Sequence, residues 1–104
     1  MESIRCVSSA EAEQLMQSTA LTVVDIRDPQ SFAEARIPGA CHLSDQNLQE
    51  FLTAADMDAP VLVYCYHGIS SQNAAAFLLE RGFDSVYSLD GGFEGWRQSG
   101  AIER

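Results

Sequence analysis

A cysteine at position 65 directly follows the apolar run "VLVY" and is followed by "YHGISS" and then by "QNAAAFLLERG", a stretch of strong helix formers. A thiol between a strand-like run and a helix-like run sits where ligands meet open parallel sheets, beyond the carboxyl ends of the strands. The five residues "YHGIS" form only a tight loop, and Gly68 can take positive φ and let successive backbone N–H groups converge. Such a nest, aligned with the N-terminus of the following helix, attracts an anion and favours thiolate over thiol. The alternative is a small apolar residue packed under the sheet, a common place for a free cysteine. The glycine and the serines on the anion-binding side of Cys65 favour the activated thiolate, and with it selective alkylation of this one thiol at neutral pH.

The elements that must hold this loop can be read along the chain. Ser8 and Glu11 have capping-box spacing, and Ala12, Leu15 and Met16 recur at helical intervals, so a helix begins near residue 8 after a short strand over 4–7. "LTVVDI" is a β-branched strand that stops at "RDPQ", where Asp28 can cap a short helix with Pro29 in its first turn. "ACHL" reads as another short strand, and Leu48, Phe51, Leu52 and Ala55 mark one face of a further helix. "VLVYC" repeats the strand signal. The stretch "SSQNAAAFLLERG" predicts a mostly buried helix, with a serine capping its start and Gly82 at its end. "SVYSL" is a last strand before the turn "DGG", and Phe93 and Trp96 lie three apart on a small terminal helix. Strands and helices that alternate in this way predict an α/β sandwich around a largely parallel sheet.

Composition narrows the function. A chain of 104 residues has room for one core, so residues 1–104 are expected to form one domain with one site. No basic stretch leads into an apolar one at the N-terminus, and no segment approaches the roughly 18 continuous apolar residues of a membrane helix. The expectation is a soluble, cytoplasmic protein without a membrane partner. Cys6, Cys41 and Cys65 form no CxxC pair and cannot all pair with one another, which suits a reducing compartment. A net charge of −9, with no lysine among its six basic residues, argues against nucleic acid as a partner. An anionic substrate must therefore be held by local groups against the overall field.

Four segments, "VVDIRDPQSF" at 23–32, "RIPGACHL" at 36–43, "CYHGISS" at 65–71 and "SLDGGFEGW" at 88–96, together resemble those of single-domain rhodaneses, the thiosulfate sulfurtransferases. They occur in the family's order across nearly the whole chain, and the likeness is greatest to the small bacterial form associated with glycerol-3-phosphate regulons. The resemblance implies a three-layer sandwich with a central, largely parallel five-stranded sheet flanked by helices. It also implies a double displacement in which the Cys65 thiolate takes sulfur from thiosulfate, releases sulfite, and holds a persulfide until cyanide or a thiol accepts the sulfur. No metal or organic cofactor is implied. Backbone amides of residues 66 to 70, that is Tyr66, His67, Gly68, Ile69 and Ser70, would bind the substrate, with the Ser70 and Ser71 hydroxyls as added donors. A thioredoxin-like dithiol is the acceptor suggested by analogy. The chain departs from the family at Arg36, where many members have histidine, and at Ile69, where a polar residue is frequent.

Cysteine phosphatases use a similar loop, but they carry an arginine at the seventh position to clamp phosphate, and here that position is Ser71. A persulfide relay between protein donors and acceptors is the leading alternative to an enzyme acting on small molecules, and an inert interaction domain would have no need of Cys65. His67 is expected to point outward. His42 beside Cys41 lacks metal-site spacing. Asp25 and Arg27 are expected to brace the loops around the site, Asp90, Gly91 and Gly92 to form a structural turn, and Trp96 to pack in the core.

Overall fold

The structure is a computed structural model that describes residues 4–18 and 20–104. Its chain order is β1 (Arg5–Val7), α1 (Ser9–Ser18), β2 (Thr22–Asp25), α2 (Pro29–Glu34), β3 (Cys41–His42), α3 (Leu48–Ala54), β4 (Val61–Tyr64), α4 (Ser70–Glu80), β5 (Val86–Leu89) and α5 (Gly92–Trp96). The five strands form one sheet in the order β1-β5-β4-β2-β3, and every pair is parallel. The expected sandwich is therefore present.

Period-two alternation within buried strands builds a core on each face of the sheet. From β4, Leu62 and Tyr64 join Val7, Ala12, Ile37, Leu89, Phe93 and Trp96 on one face. Val61 and Val63 join Val24, Ala75, Leu78, Phe83 and Val86 on the other. Because both faces of β4 are covered, its four residues are all buried and read as a continuous apolar run rather than an alternating one.

Several helix starts follow from local chemistry. The Ser8 hydroxyl accepts from the Glu11 amide at 3.1 Å while the Glu11 carboxylate accepts from the Ser8 amide at 2.9 Å, completing the capping box ahead of α1. Asp28 caps α2 by accepting from the Ser31 amide at 3.0 Å, with Pro29 in the first turn. At α4 the expectation fails. Its N-cap is Ile69, which has no side-chain cap bond, and both serines lie inside the helix. The helix start is instead held against the loop, through the Gln72 side chain, which donates to the Gly68 carbonyl at 2.9 Å. Nor is α4 mostly buried: only Ser71, Ala75 and Leu78 are, and Phe77 is exposed. One stripe facing the sheet is all that a helix on an outer layer must hide.

The strand order also fixes where a site can form. After β2 the chain moves outward to β3, and after β4 it moves the other way to β5. The loops that leave β2 and β4 therefore part company at adjacent strands, which is the crevice where open parallel sheets bind ligands.

Candidate active site

Cys65 lies immediately beyond β4 at this crevice. Its side chain follows Val61 and Val63 onto the face covered by α4, and the residue is 5% exposed. Two main-chain donors point at the sulfur: the Gly68 N–H lies 3.2 Å from Sγ and the Ser71 N–H 3.3 Å. Burial pushes the thiol's pKa up. The Ser71 hydroxyl and the amides of Ser71, Gly68 and His67 pull it down further, so the net shift favours thiolate.

Backbone-to-backbone packing holds the loop in this shape. Gly68 has φ of +88°, and a Cβ there would lie 2.9 Å from both the Gly91 nitrogen and the Leu89 carbonyl oxygen. Gly92, at φ of +58°, abuts the Tyr66 carbonyl so closely that a side chain would collide with it. The start of α5 adds two donors, with the Phe93 amide on the Cys65 carbonyl at 2.8 Å and the Glu94 amide on the Tyr66 carbonyl at 3.0 Å. These contacts turn the Cys65 and Tyr66 carbonyls away from Sγ and leave the Gly68 and Ser71 amides facing it.

Side chains around the loop complete the support. The Ser71 hydroxyl is 2.7 Å from that of Ser88 on β5, and both residues are fully buried. Asp25, at the end of β2, takes Arg27 Nε at 3.1 and 3.0 Å on its two oxygens and Nη2 at 2.7 Å, while Arg27 Nη2 also donates to the Ala35 carbonyl at 2.6 Å. The guanidinium lies 4.2 Å from the Phe93 ring centroid and 5.7 Å from that of Tyr66. The Tyr66 phenol donates to Asp28 and lies 2.7 Å from the Ser31 hydroxyl. With Tyr66 and Ser31 as donors, the Asp28 carboxyl is held down to about 2.

The residues singled out in the sequence fall into three groups. Cys65, Gly68 and Ser71 meet at the sulfur, with the Ser71 amide one position beyond the expected run of 66 to 70. His67, Ile69 and Ser70 are exposed, and Tyr66 directs its ring away from the sulfur to α2. Cys6 and Cys41 are exposed and apart from the loop, and burial raises the pKa of the Cys41 thiol. His42 Nε2 is bonded to the Arg27 carbonyl, while Trp96 is buried and donates to the Ala101 carbonyl at 2.7 Å. Arg36, the departure from the family pattern, pairs with Glu103 at 3.1 Å and stacks over Phe32. Ser88 was not legible as a site residue, because its contact with Ser71 depends on β5 lying beside β4. The Tyr66–Asp28 bond was hidden in the same way by a separation of 38 residues.

The arrangement can stabilise a sulfur anion at Cys65. It has no guanidinium at position 71 to clamp a tetrahedral phosphate, since a buried serine hydroxyl occupies that place.

Residues 8–99 match the model of the rhodanese-like domain. Among curated proteins, the chain is 55% identical to the thiosulfate sulfurtransferase GlpE of Ectopseudomonas mendocina, over 93% of this chain and 88% of that protein. It is 50% identical to GlpE of Shewanella oneidensis, over 97% and 100% of the two chains. Among solved structures it superposes on the rhodanese-like domain of the Anabaena Alr3790 protein with a TM-score of 0.85 at 22% identity, covering 99% of this chain and 80% of that one. It also superposes on a Rhodopseudomonas palustris protein of unknown function, described as a possible tyrosine phosphatase, with a TM-score of 0.83 at 29% identity over 96% and 85% of the chains.

Proposed function

The chain belongs to the rhodanese-like domain family and is a sulfurtransferase; we propose that it moves the sulfane sulfur of thiosulfate to cyanide or a thiol through a persulfide on Cys65. In the first half-reaction the Cys65 thiolate attacks the outer sulfur of thiosulfate. The bond between the two thiosulfate sulfurs breaks, its electron pair leaves with sulfite, and a persulfide anion remains on Cys65. In the second, cyanide or a thiolate attacks the outer sulfur of that persulfide, yielding thiocyanate or a new persulfide and restoring the Cys65 thiolate. Atoms and charge balance in each half, and neither needs a cofactor.

The observation that carries this reading is the pair of amides aimed at a nearly buried Sγ, at 3.2 and 3.3 Å. Hydrogen bonds to an anion are shorter and about twice as strong as those between neutral groups, so the loop favours the charged sulfur at each stage. One compact domain over residues 1–104, acting in the cytoplasm, is part of the proposal. The exposed side chains at the loop rim, Ile69 at 75% and Tyr66 at 38%, support a second reading. Large apolar surface beside a reactive sulfur suits a protein donor or a thioredoxin-like dithiol acceptor.

Intact-protein mass after treatment with thiosulfate tests the reaction. The expected gain is one sulfur atom, lost again with cyanide and absent in Cys65→Ser. A wild-type mass unchanged by thiosulfate would refute the mechanism, and steady-state comparison of small-molecule with protein donors separates enzyme from relay.

A further inference from the structure

Three of the six basic residues of this acidic chain, Arg27, Arg97 and Arg104, line one cleft of about 340 Å³ beside the sulfur-binding loop. Ser31, Tyr66 and Phe93 line it as well, so the cleft borders the loop at the residue that follows Cys65. Phe93 brings two of the cations together, its ring centroid lying 4.2 Å from the Arg27 guanidinium carbon and 5.4 Å from that of Arg97. Arg27 is almost wholly buried, its Nε and Nη2 held by Asp25 and by the Ala35 carbonyl. Arg97 has only a loose, half-exposed contact with Glu94 at 3.7 Å, an interaction of the kind worth little in water. Glu34 and Glu94 are the acidic side chains of the cleft, while Asp25 is spent on Arg27.

Arg104 makes no ion pair among the described residues and Arg97 only the loose one with Glu94, and in a chain of net charge −9 two exposed guanidiniums in one cleft make a local attractive spot for anions. We propose that this cleft is an antechamber for sulfur oxyanions, capturing thiosulfate on its way to Cys65 and holding sulfite on its way out. The proposal rests on the donor assigned above and adds the residues that overcome the repulsion between a dianionic substrate and an acidic protein. Arg97 and Arg104 supply exposed charge that exchanges Glu94 or water for the ligand, Arg27 adds its guanidinium charge from the cleft wall, and Glu34 sets a limit on affinity from the rim.

The test is kcat/KM for thiosulfate at low ionic strength. Arg97→Ala/Arg104→Ala is expected to lower it about five-fold, mostly through KM, with the deficit shrinking as salt is added. Arg97→Lys should keep most of the wild-type value, and Glu34→Gln should raise it. Arg81→Ala removes a charge remote from the cleft and should change kcat/KM less than two-fold. An unchanged value in the double variant, or an equal loss in Arg81→Ala, overturns the antechamber. A second measurement stands apart from catalysis: sulfate titrated into Cys65→Ser should shift the amide resonances of Glu94 and Arg97, and their silence overturns the proposal even if thiosulfate loads Cys65 in the wild type. A wild type that takes no sulfur from thiosulfate but shows those sulfate shifts refutes the donor assignment and leaves the cleft standing.

Discussion

Replacing Gly68 by alanine separates main-chain geometry from side-chain chemistry, because the change adds one methyl group and removes no donor. At φ of +88° an L residue has a left-handed backbone that costs about 1–2 kcal/mol. The new Cβ would also stand 2.9 Å from the Gly91 nitrogen and the Leu89 carbonyl oxygen, both main-chain atoms that cannot rotate away, and overpacking of this kind costs about 1–3 kcal/mol. The sum of about 2–5 kcal/mol is within the stability of a small domain, so the variant should fold with a melting temperature lowered by about 10 °C or more. Relief of the clash requires the loop to move off the "DGG" turn, which withdraws the Gly68 amide from Sγ. Loss of one hydrogen bond to an anion, about 1.5 kcal/mol, predicts alkylation of Cys65 by iodoacetamide about ten-fold slower at neutral pH. Thermal melts and alkylation followed by intact mass read the two effects separately. Wild-type alkylation in a variant that is destabilised would mean that the amide at 68 does not set the thiolate, and the account of the site would fail.

Two further outcomes follow from the surrounding network. Asp25→Asn leaves the Arg27 guanidinium buried without its counter-charge and should destabilise the fold by about 3–5 kcal/mol, measured by urea denaturation. Asp28 contributes as a depressed carboxylate: its contribution is complete above the ordinary aspartate range and is lost as pH falls through the folded value of about 2. Carboxyl chemical shifts should therefore show Asp28 titrating near 2 in the wild type, and higher in Tyr66→Phe, where the largest cause of the shift is gone.

What could be read from the chain was mostly local. The Ser8–Glu11 box, the Asp28 cap and the strand before Cys65 depend on residues within a few positions of one another, and the structure has each of them. Positive φ at Gly68 was also legible, since a tight turn between strand and helix leaves few residue types able to make it. The serine cap expected for α4 is absent, although Ser and Thr before a helix ordinarily cap it. Here Ser71 is instead drawn under α4 to meet Ser88, a pairing set by strand order and invisible to spacing. The exposure of α4 was missed for a related reason: its alanines suit a buried and an exposed helix equally, and only the layer it occupies decides.

The amides of Gly68 and Ser71 on the sulfur, and the exposed side chains of His67 and Ile69 beside them, also bear on how such a protein could diversify. What grips the sulfur is main chain, fixed at Gly68 by its backbone conformation, whereas the side chains of His67 and Ile69 are exposed. Those two positions can be rewritten to suit a new donor or acceptor without editing the reaction, so recognition and chemistry can drift independently along a single short loop.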